Sequence, residues 1–153
     1  MSERVYRYTI DFEGRIFHAG SPIEDAAVIR QLLTRVHRDP KGGLFSVCAG
    51  ERNELAPTDA LYVIARFEET PAGPGGDRLA VTCQGGLLRH LDLGTLALRD
   101  GAFLYGAVEG GVAARFGRHA WLDFATRFVD ATAEQPLARL ADRAWPIALA
   151  TPA

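Results

Sequence analysis

The sequence predicts an α+β fold, mostly antiparallel sheet with two amphipathic helices, and three observations carry that expectation. Period-two alternation opens the chain, where Tyr6, Tyr8, Ile10 and Phe12 interleave with Arg7, Thr9 and Asp11. Short apolar runs bounded by Gly, Asp and Asn then recur along most of its length, as strands joined by tight turns do. Two other stretches space their apolar residues by three and four, the stripe of a helix packed on one side.

The elements follow in order. Val5 to Phe12 reads as a strand, Glu13-Gly14 as a tight turn and Arg15 to His18 as the returning strand of a hairpin. Ser21-Pro22-Ile23-Glu24 carries the signals of a helix start: a Ser N-cap, Pro at the first helical position and Glu closing a capping box. Ile29, Leu32, Leu33 and Val36 supply the buried stripe of that helix, and Asp39-Pro40 with Gly42-Gly43 ends it. Leu44 to Cys48 and Arg52 to Leu55 are strands around an Ala49-Gly50 turn, Pro57 marks a bend, and Ala60 to Glu68 is apolar enough for an interior strand.

The stretch from Thr70 to Asp77, rich in Pro and Gly, is an exposed loop by composition. After it come strands at Arg78 to Cys83, Leu87 to Leu91, Leu96 to Leu98, Ala102 to Val108 and Val112 to Phe116. Turns at Gln84-Gly85-Gly86, Asp100-Gly101 and Glu109-Gly110-Gly111 separate them. A second helix begins near Arg118, with Trp121, Phe124, Ala125, Phe128 and Val129 on one face. The tail from Leu137 to Leu149, flanked and broken by Pro136 and Pro146, reads either as a hairpin or as a short helix plus strand.

A chain of 153 residues suits one domain over 1–153 and can bury about 70% of its unfolded surface. Residues 5–69 and 77–130 repeat one order: a strand that contains or begins with Tyr and runs into Glu-Gly, a returning strand, then an amphipathic helix. Internal duplication and chance recurrence of a common unit both account for it.

Composition narrows the function classes. A formal net charge of −2 and a pI near 6.1 lack the basic footprint of a duplex nucleic-acid binder. No apolar run reaches the ~20 residues of a membrane span, so no membrane partner is expected. Met1-Ser2-Glu3-Arg4 leads straight into a strand pattern, and a cytoplasmic location is expected. Cys48 and Cys83 are then expected as reduced thiols. Lys41 is the single lysine beside sixteen arginines, a bias that GC-rich coding explains and that an anionic ligand would also suit.

The densest polar cluster is Cys48-Ala49-Gly50-Glu51-Arg52-Asn53, with Asp59 shortly after. A thiol, a carboxylate, a guanidinium and an amide on one hairpin turn could hold a small polar ligand. The same residue types also cap backbone groups and pair with one another at strand ends. Cys48 is a candidate nucleophile if a cation or imidazole activates it, yet no signature ties His18, His37, His90 or His119 to it, and a buried structural thiol is the plainer reading. The two Cys are too far apart in sequence for a zinc motif and no two His stand at i, i+4, so neither a metal nor a cofactor is expected. Gly85-Gly86 and Gly110-Gly111 fit no phosphate-loop pattern and read as turn glycines. Tyr6, Tyr8 and Phe12 could stack bases, but a core-facing strand face explains them without a ligand.

These residues resemble a known family, domain of unknown function 4505, which has bacterial and small animal members. Tyr8, Asp11, Gly14 and Phe17 carry the resemblance in the first hairpin, and Cys48, Glu51, Arg52, Asn53, Leu55 and Asp59 carry its most specific part. Cys83, Gly85, Gly86, Leu96, Leu98, Gly101, Leu104 and Tyr105 extend it, and the C-terminal tail departs from it. The resemblance implies no activity. The order of hairpin, helix and strand-rich segment is more loosely similar to domain of unknown function 1285, and that similarity implies a duplicated α+β core with a ligand site between its halves.

Three functions are therefore expected as alternatives. One is a ligand-binding or regulatory module that grips a small anionic molecule, nucleotide-like in kind, through Cys48, Glu51, Arg52, Asn53 and Asp59, with Arg115 and Arg118 from the second half. The other is a thiol-dependent enzyme using Cys48. A scaffold or dimerisation module is the third expectation.

Overall fold

In the computed structural model, which describes residues 4–132 and 134–150, the opening alternation becomes β1 (Val5–Ile10), followed by β2 (Ile16–His18). The Met1-Ser2-Glu3 opening lies outside the described residues. β1 and β2 pair antiparallel with Tyr8 opposite His18. Asp11 closes the turn, its carboxylate accepting the Arg15 N–H at 2.8 Å. The fold is α+β, with two helices and mostly antiparallel sheets.

The first helix starts later than its local signals predict. Ser21, Pro22 and Ile23 form β3 (Ser21–Ile23), which pairs back onto β2, and the helix α1 (Ala26–Thr34) is capped by Asp25. The Asp25 carboxylate accepts the N–H groups of Ala27 and Val28 at 2.8 and 3.3 Å. The reason is that Ala19-Gly20, both at positive φ, turns the chain so that Ser21 and Ile23 gain strand partners, and Pro22 is tolerated on the edge strand that results. Val36, expected in the helical stripe, instead begins β4 (Val36–Arg38). Leu32 and Leu33 are buried as expected, each worth about 1.5–3 kcal/mol.

β5 (Leu44–Cys48) and β6 (Glu51–Pro57) form the predicted hairpin, and β6 also runs parallel to β1. The first sheet thus has the order β3-β2-β1-β6-β5-β4. Together with residues 58–62 and 84–87 it makes one of two compact units. Inside this unit the buried Tyr62 hydroxyl donates to the Leu33 carbonyl at 2.7 Å.

The run expected as one strand from Ala60 to Glu68 breaks at Ala65 into β7 (Tyr62–Ile64) and β8 (Arg66–Phe67). The break closes a sheet. β9 (Arg78–Thr82), β10 (Leu88–Arg99), β11 (Phe103–Ala107) and β12 (Ala113–Phe116) complete the order β7-β12-β11-β10-β9-β8, in which the first and last strands are separated by a single residue. Ile64 accepts from Gly117 N–H on one side and Ala65 donates to Thr82 on the other, both at 2.8 Å. The sheet is therefore a nearly closed barrel.

The two short strands expected at Leu87 to Leu91 and Leu96 to Leu98 are one strand, β10, with a bulge between Asp92 and Ala97. The helix α2 (Arg118–Phe128) places Phe124 against Phe116 and Phe67, with ring centroids 5.0 and 5.3 Å apart. Of the two readings of the tail the hairpin is present: β13 (Val129–Asp130), β14 (Leu137–Leu140) and β15 (Arg143–Pro146) form a small sheet, and β16 (Ala148–Ala150) joins β10. The Gly-rich loop before β9 is tied down by this hairpin. Arg143 and Trp145 both donate to the Asp77 carboxylate, at 2.7 and 3.2 Å.

Candidate functional site

The hairpin that carries the Cys-x-x-Glu-Arg-Asn run turns on Ala49-Gly50, with φ of 52° and 75°. Two successive positive φ values match the right-handed twist of the flanking strands, and they set Cys48 opposite Glu51, Val47 opposite Arg52 and Ser46 opposite Asn53. Because strand side chains alternate in direction, Cys48, Glu51 and Asn53 share one face of the sheet while Arg52 lies on the other. The polar run is thus divided between two faces.

On the first face the chain packs under α1. Cys48 Sγ donates to the Gln31 carbonyl at 3.6 Å. Asn53 is only 4% exposed, and its amide reaches the carbonyls of Ser46 and Glu51 at 3.5 and 3.4 Å. The parallel pairing of β1 with β6 puts Tyr6 beside Asn53 and Tyr8 beside Leu55 on the same face. The His18 ring stands 5.8 Å from that of Tyr6 and 5.0 Å from that of Tyr8, so these tyrosines are packed, half-buried rings. Burial pushes the Tyr8 phenol above its ordinary value, and the neighbouring Tyr6, Cys48 and Glu51 add to the effect. It remains a hydrogen-bond donor at neutral pH.

On the opposite face Arg52 is held from three sides. Its guanidinium lies over the Phe45 ring, donates to Asp39 at 3.4 Å and faces Glu54 at 3.9 Å. Asp39 also accepts the N–H groups of Lys41 and Gly43, at 2.8 and 2.9 Å. A hollow of about 330 Å³ opens on this face, and its charged lining is Arg7, Asp39 and Glu54. Carboxylates outnumber guanidinium groups there, which disfavours an anionic guest.

A second hollow of about 330 Å³ adjoins Cys48, where the end of α1 meets the hairpin tip. Gln31, Thr34, Arg35, Val47, Cys48 and Ala49 line it, and Arg35 is the charged member of that set. Arg35 is the C-cap of α1 and its side chain is exposed. Sequence reasoning missed Arg35, Gln31 and Thr34. The available signal was that a hairpin tip so close in sequence to a helix end is able to fold back beside it.

The remaining expected residues stand elsewhere. Asp59 is half-buried in the loop after β6. Arg115, in β12, is 4% exposed and donates to the Phe116 carbonyl at 3.0 Å, while Arg118 is the exposed first residue of α2. Both belong to the second unit. Cys83 is buried, and burial pushes its thiol up to about 12, where it is inert at neutral pH. The two thiols are free of any disulfide. Among the described residues no group of three or more His, Cys, Asp or Glu is arranged to hold a metal ion, and no helix is long and apolar enough to cross a membrane.

No family model matches the chain, and no curated protein does. Two solved structures do. A DUF1285 family protein from Shewanella baltica OS155 superposes with a TM-score of 0.64 at 22% identity, over 79% of this chain and 91% of that one. A DUF1285 family protein from Silicibacter pomeroyi DSS-3 superposes with a TM-score of 0.69 at 20% identity, over 96% of this chain and 84% of that one. At these identities the likeness is one of fold, and by fold this chain is similar to DUF1285 family proteins.

Proposed function

We propose that the first unit is a ligand-binding module that takes a small anionic molecule in the hollow between the end of α1 and the β5–β6 hairpin. One observation carries this reading: the hollow beside Cys48 has a single charged lining side chain, and it is the guanidinium of Arg35. A planar fork of donors suits a carboxylate or phosphate, and the Gln31 amide can add a further donor. The negative end of α1 points towards the same place, so Arg35 must offset it and only modest affinity follows.

In this reading Cys48 borders the ligand and Glu51 stands opposite it across the hairpin. Arg52 and Asn53 brace the hairpin through the Phe45 and Asp39 contacts and the buried amide. A kinship with domain of unknown function 4505 rests on that same Cys-x-x-Glu-Arg-Asn run, which would then be kept for the shape of the hairpin. Asp59, Arg115 and Arg118 are not needed for the hollow.

The test is a thermal-shift titration with inorganic phosphate, AMP and citrate. Stabilisation by one of them that Arg35→Ala abolishes and Arg35→Lys partly keeps supports the reading. A flat response, or one that Arg35→Ala leaves unchanged, overturns it.

A further inference from the structure

The second unit contains a hollow of about 390 Å³ where the bulge of β10 meets the turn after β11. Its polar lining is Arg78, His90, Asp92, Thr95 and Glu109. Arg78 and Asp92 are cross-strand partners, and Arg78 Nη1 lies 3.0 Å from Asp92 Oδ2. The other Asp92 oxygen accepts Gly94 N–H at 2.9 Å, which holds the bulge in shape. Thr95 donates to the Asp92 carbonyl at 2.6 Å and accepts Ala107 N–H at 2.8 Å, so its hydroxyl is fixed as well.

Glu109 forms the other end. One of its oxygens accepts His90 N–H at 2.6 Å, and the second lies 3.4 Å from His90 Nδ1 and 3.6 Å from Arg89. Burial opposes ionisation of Glu109, but the bonds from His90 and from its own main chain, aided by Arg89, outweigh it and keep the carboxylate charged. Gly110, at φ 75° and ψ 9°, occupies the left-handed place that lets this turn close behind Glu109.

The hollow therefore has two unlike ends. At one, Arg78 spends Nη1 on Asp92 and keeps further N–H donors for a guest. At the other, a carboxylate has about two acceptor sites per oxygen, and Oε1, which takes His90 N–H, retains capacity beside Oε2, which faces His90 Nδ1 and Arg89. Arg78 is paired with Asp92, and Glu109 is anchored on His90, two residues along the same strand. Two residues of strand separate the backbone positions of Asp92 and His90, on which the two ends are anchored, by about 7 Å. Ala107 and Val108 line the wall with apolar atoms.

We propose that this hollow is a second binding site, which takes a small ω-amino acid. Its carboxylate meets Arg78, its ammonium group meets Glu109, and its methylene chain lies along Ala107 and Val108. Because the two ends are anchored on different residues of β10, a guest with several carbons between its charges suits them better than an α-amino acid. This site lies in a different unit from the Arg35 hollow and does not depend on it.

The experiment is an NMR titration of the full, 15N-labelled chain with 5-aminovalerate, n-butylamine, valerate and glycine, followed at the amides of His90, Ala107, Gly110 and Gly111. We expect saturable shifts with 5-aminovalerate, and binding about tenfold or more weaker for each of the other three, since each lost charge-assisted contact removes that much. Arg78→Gln should erase the preference over n-butylamine and leave that over valerate. Glu109→Gln keeps an acceptor for His90 N–H and should erase the preference over valerate only. A protein merely damaged by substitution would lose all binding alike. No saturable shift at about 10 mM, the weak end of specific binding, overturns the proposal, and so do preferences that survive both substitutions.

Discussion

The guanidinium carbon of Arg52 sits 3.8 Å from the centroid of the Phe45 ring, and the two residues are diagonal neighbours across the β5–β6 hairpin. The same guanidinium reaches Asp39, in the turn between β4 and β5, so one side chain joins the hairpin to the turn before it.

Replacing Arg52 should therefore cost stability. The stack contributes about 0.5–1 kcal/mol and the partly exposed ion pair up to about 1 kcal/mol. Arg52→Ala is expected to lower the unfolding free energy by about 1–2 kcal/mol, read from the urea midpoint. Arg52→Lys should restore only part of it, because an ammonium group cannot stack as a plane. Equal stability of Arg52→Ala and wild type would show that the stack is incidental.

The helix start is testable by a pair of substitutions. Asp25→Ala removes the carboxylate that accepts the N–H groups of Ala27 and Val28 and should cost about 1 kcal/mol. Ser21→Ala changes an exposed edge-strand residue and should stay within about 0.5 kcal/mol. The reverse ranking in thermal unfolding would place the cap at Ser21 after all.

The thiols should differ in access. Iodoacetamide at pH 8 should modify Cys48, which is partly exposed, while Cys83 stays protected until the chain unfolds. Burial raises the Cys83 thiol from 9.0 to about 12 in the folded state, so the folded protein holds that proton more tightly than the unfolded chain. Its contribution is complete below about pH 9 and is lost as pH rises towards 12. Peptide mapping that finds Cys83 labelled in the native protein at the rate of Cys48 contradicts this.

Asp130 gives the opposite sign. Its carboxylate accepts from the Thr132 hydroxyl at 2.5 Å, from Thr132 N–H at 3.0 Å and from Arg139 at 3.1 Å, which lowers it from 3.8 to about 2. The folded value lies below the unfolded one, so the contribution is complete above about pH 4 and is lost as pH falls through about 2. Asp130→Asn should remove that part of the acid dependence of stability. Parallel acid unfolding curves for both proteins would show that Asp130 contributes none of it.

Much of the fold is local in origin, and that part was legible. Strand alternation from Val5 to Ile10, the turns at Ala49-Gly50 and Glu109-Gly110-Gly111, and the Phe124 stripe of α2 depend on residues a few positions apart. The site was less legible. Cys48, Glu51, Arg52 and Asn53 are contiguous enough to suggest one cluster, yet period-two geometry sends Arg52 to the face opposite the other three.

By itself, then, the sequence determined the opening strand, the hairpin around Ala49-Gly50, the second helix and that the class is α+β, since these follow from backbone preference and the spacing of apolar residues. Tertiary structure alone decided that Ser21 to Ile23 would join a sheet and leave the helix cap to Asp25, that two short runs would merge into β10 across a bulge, and that Arg35 would stand beside Cys48. Each of those outcomes depends on hydrogen-bond partners and neighbours supplied from outside the local window, whose free energy exceeds the small local preferences it overrides.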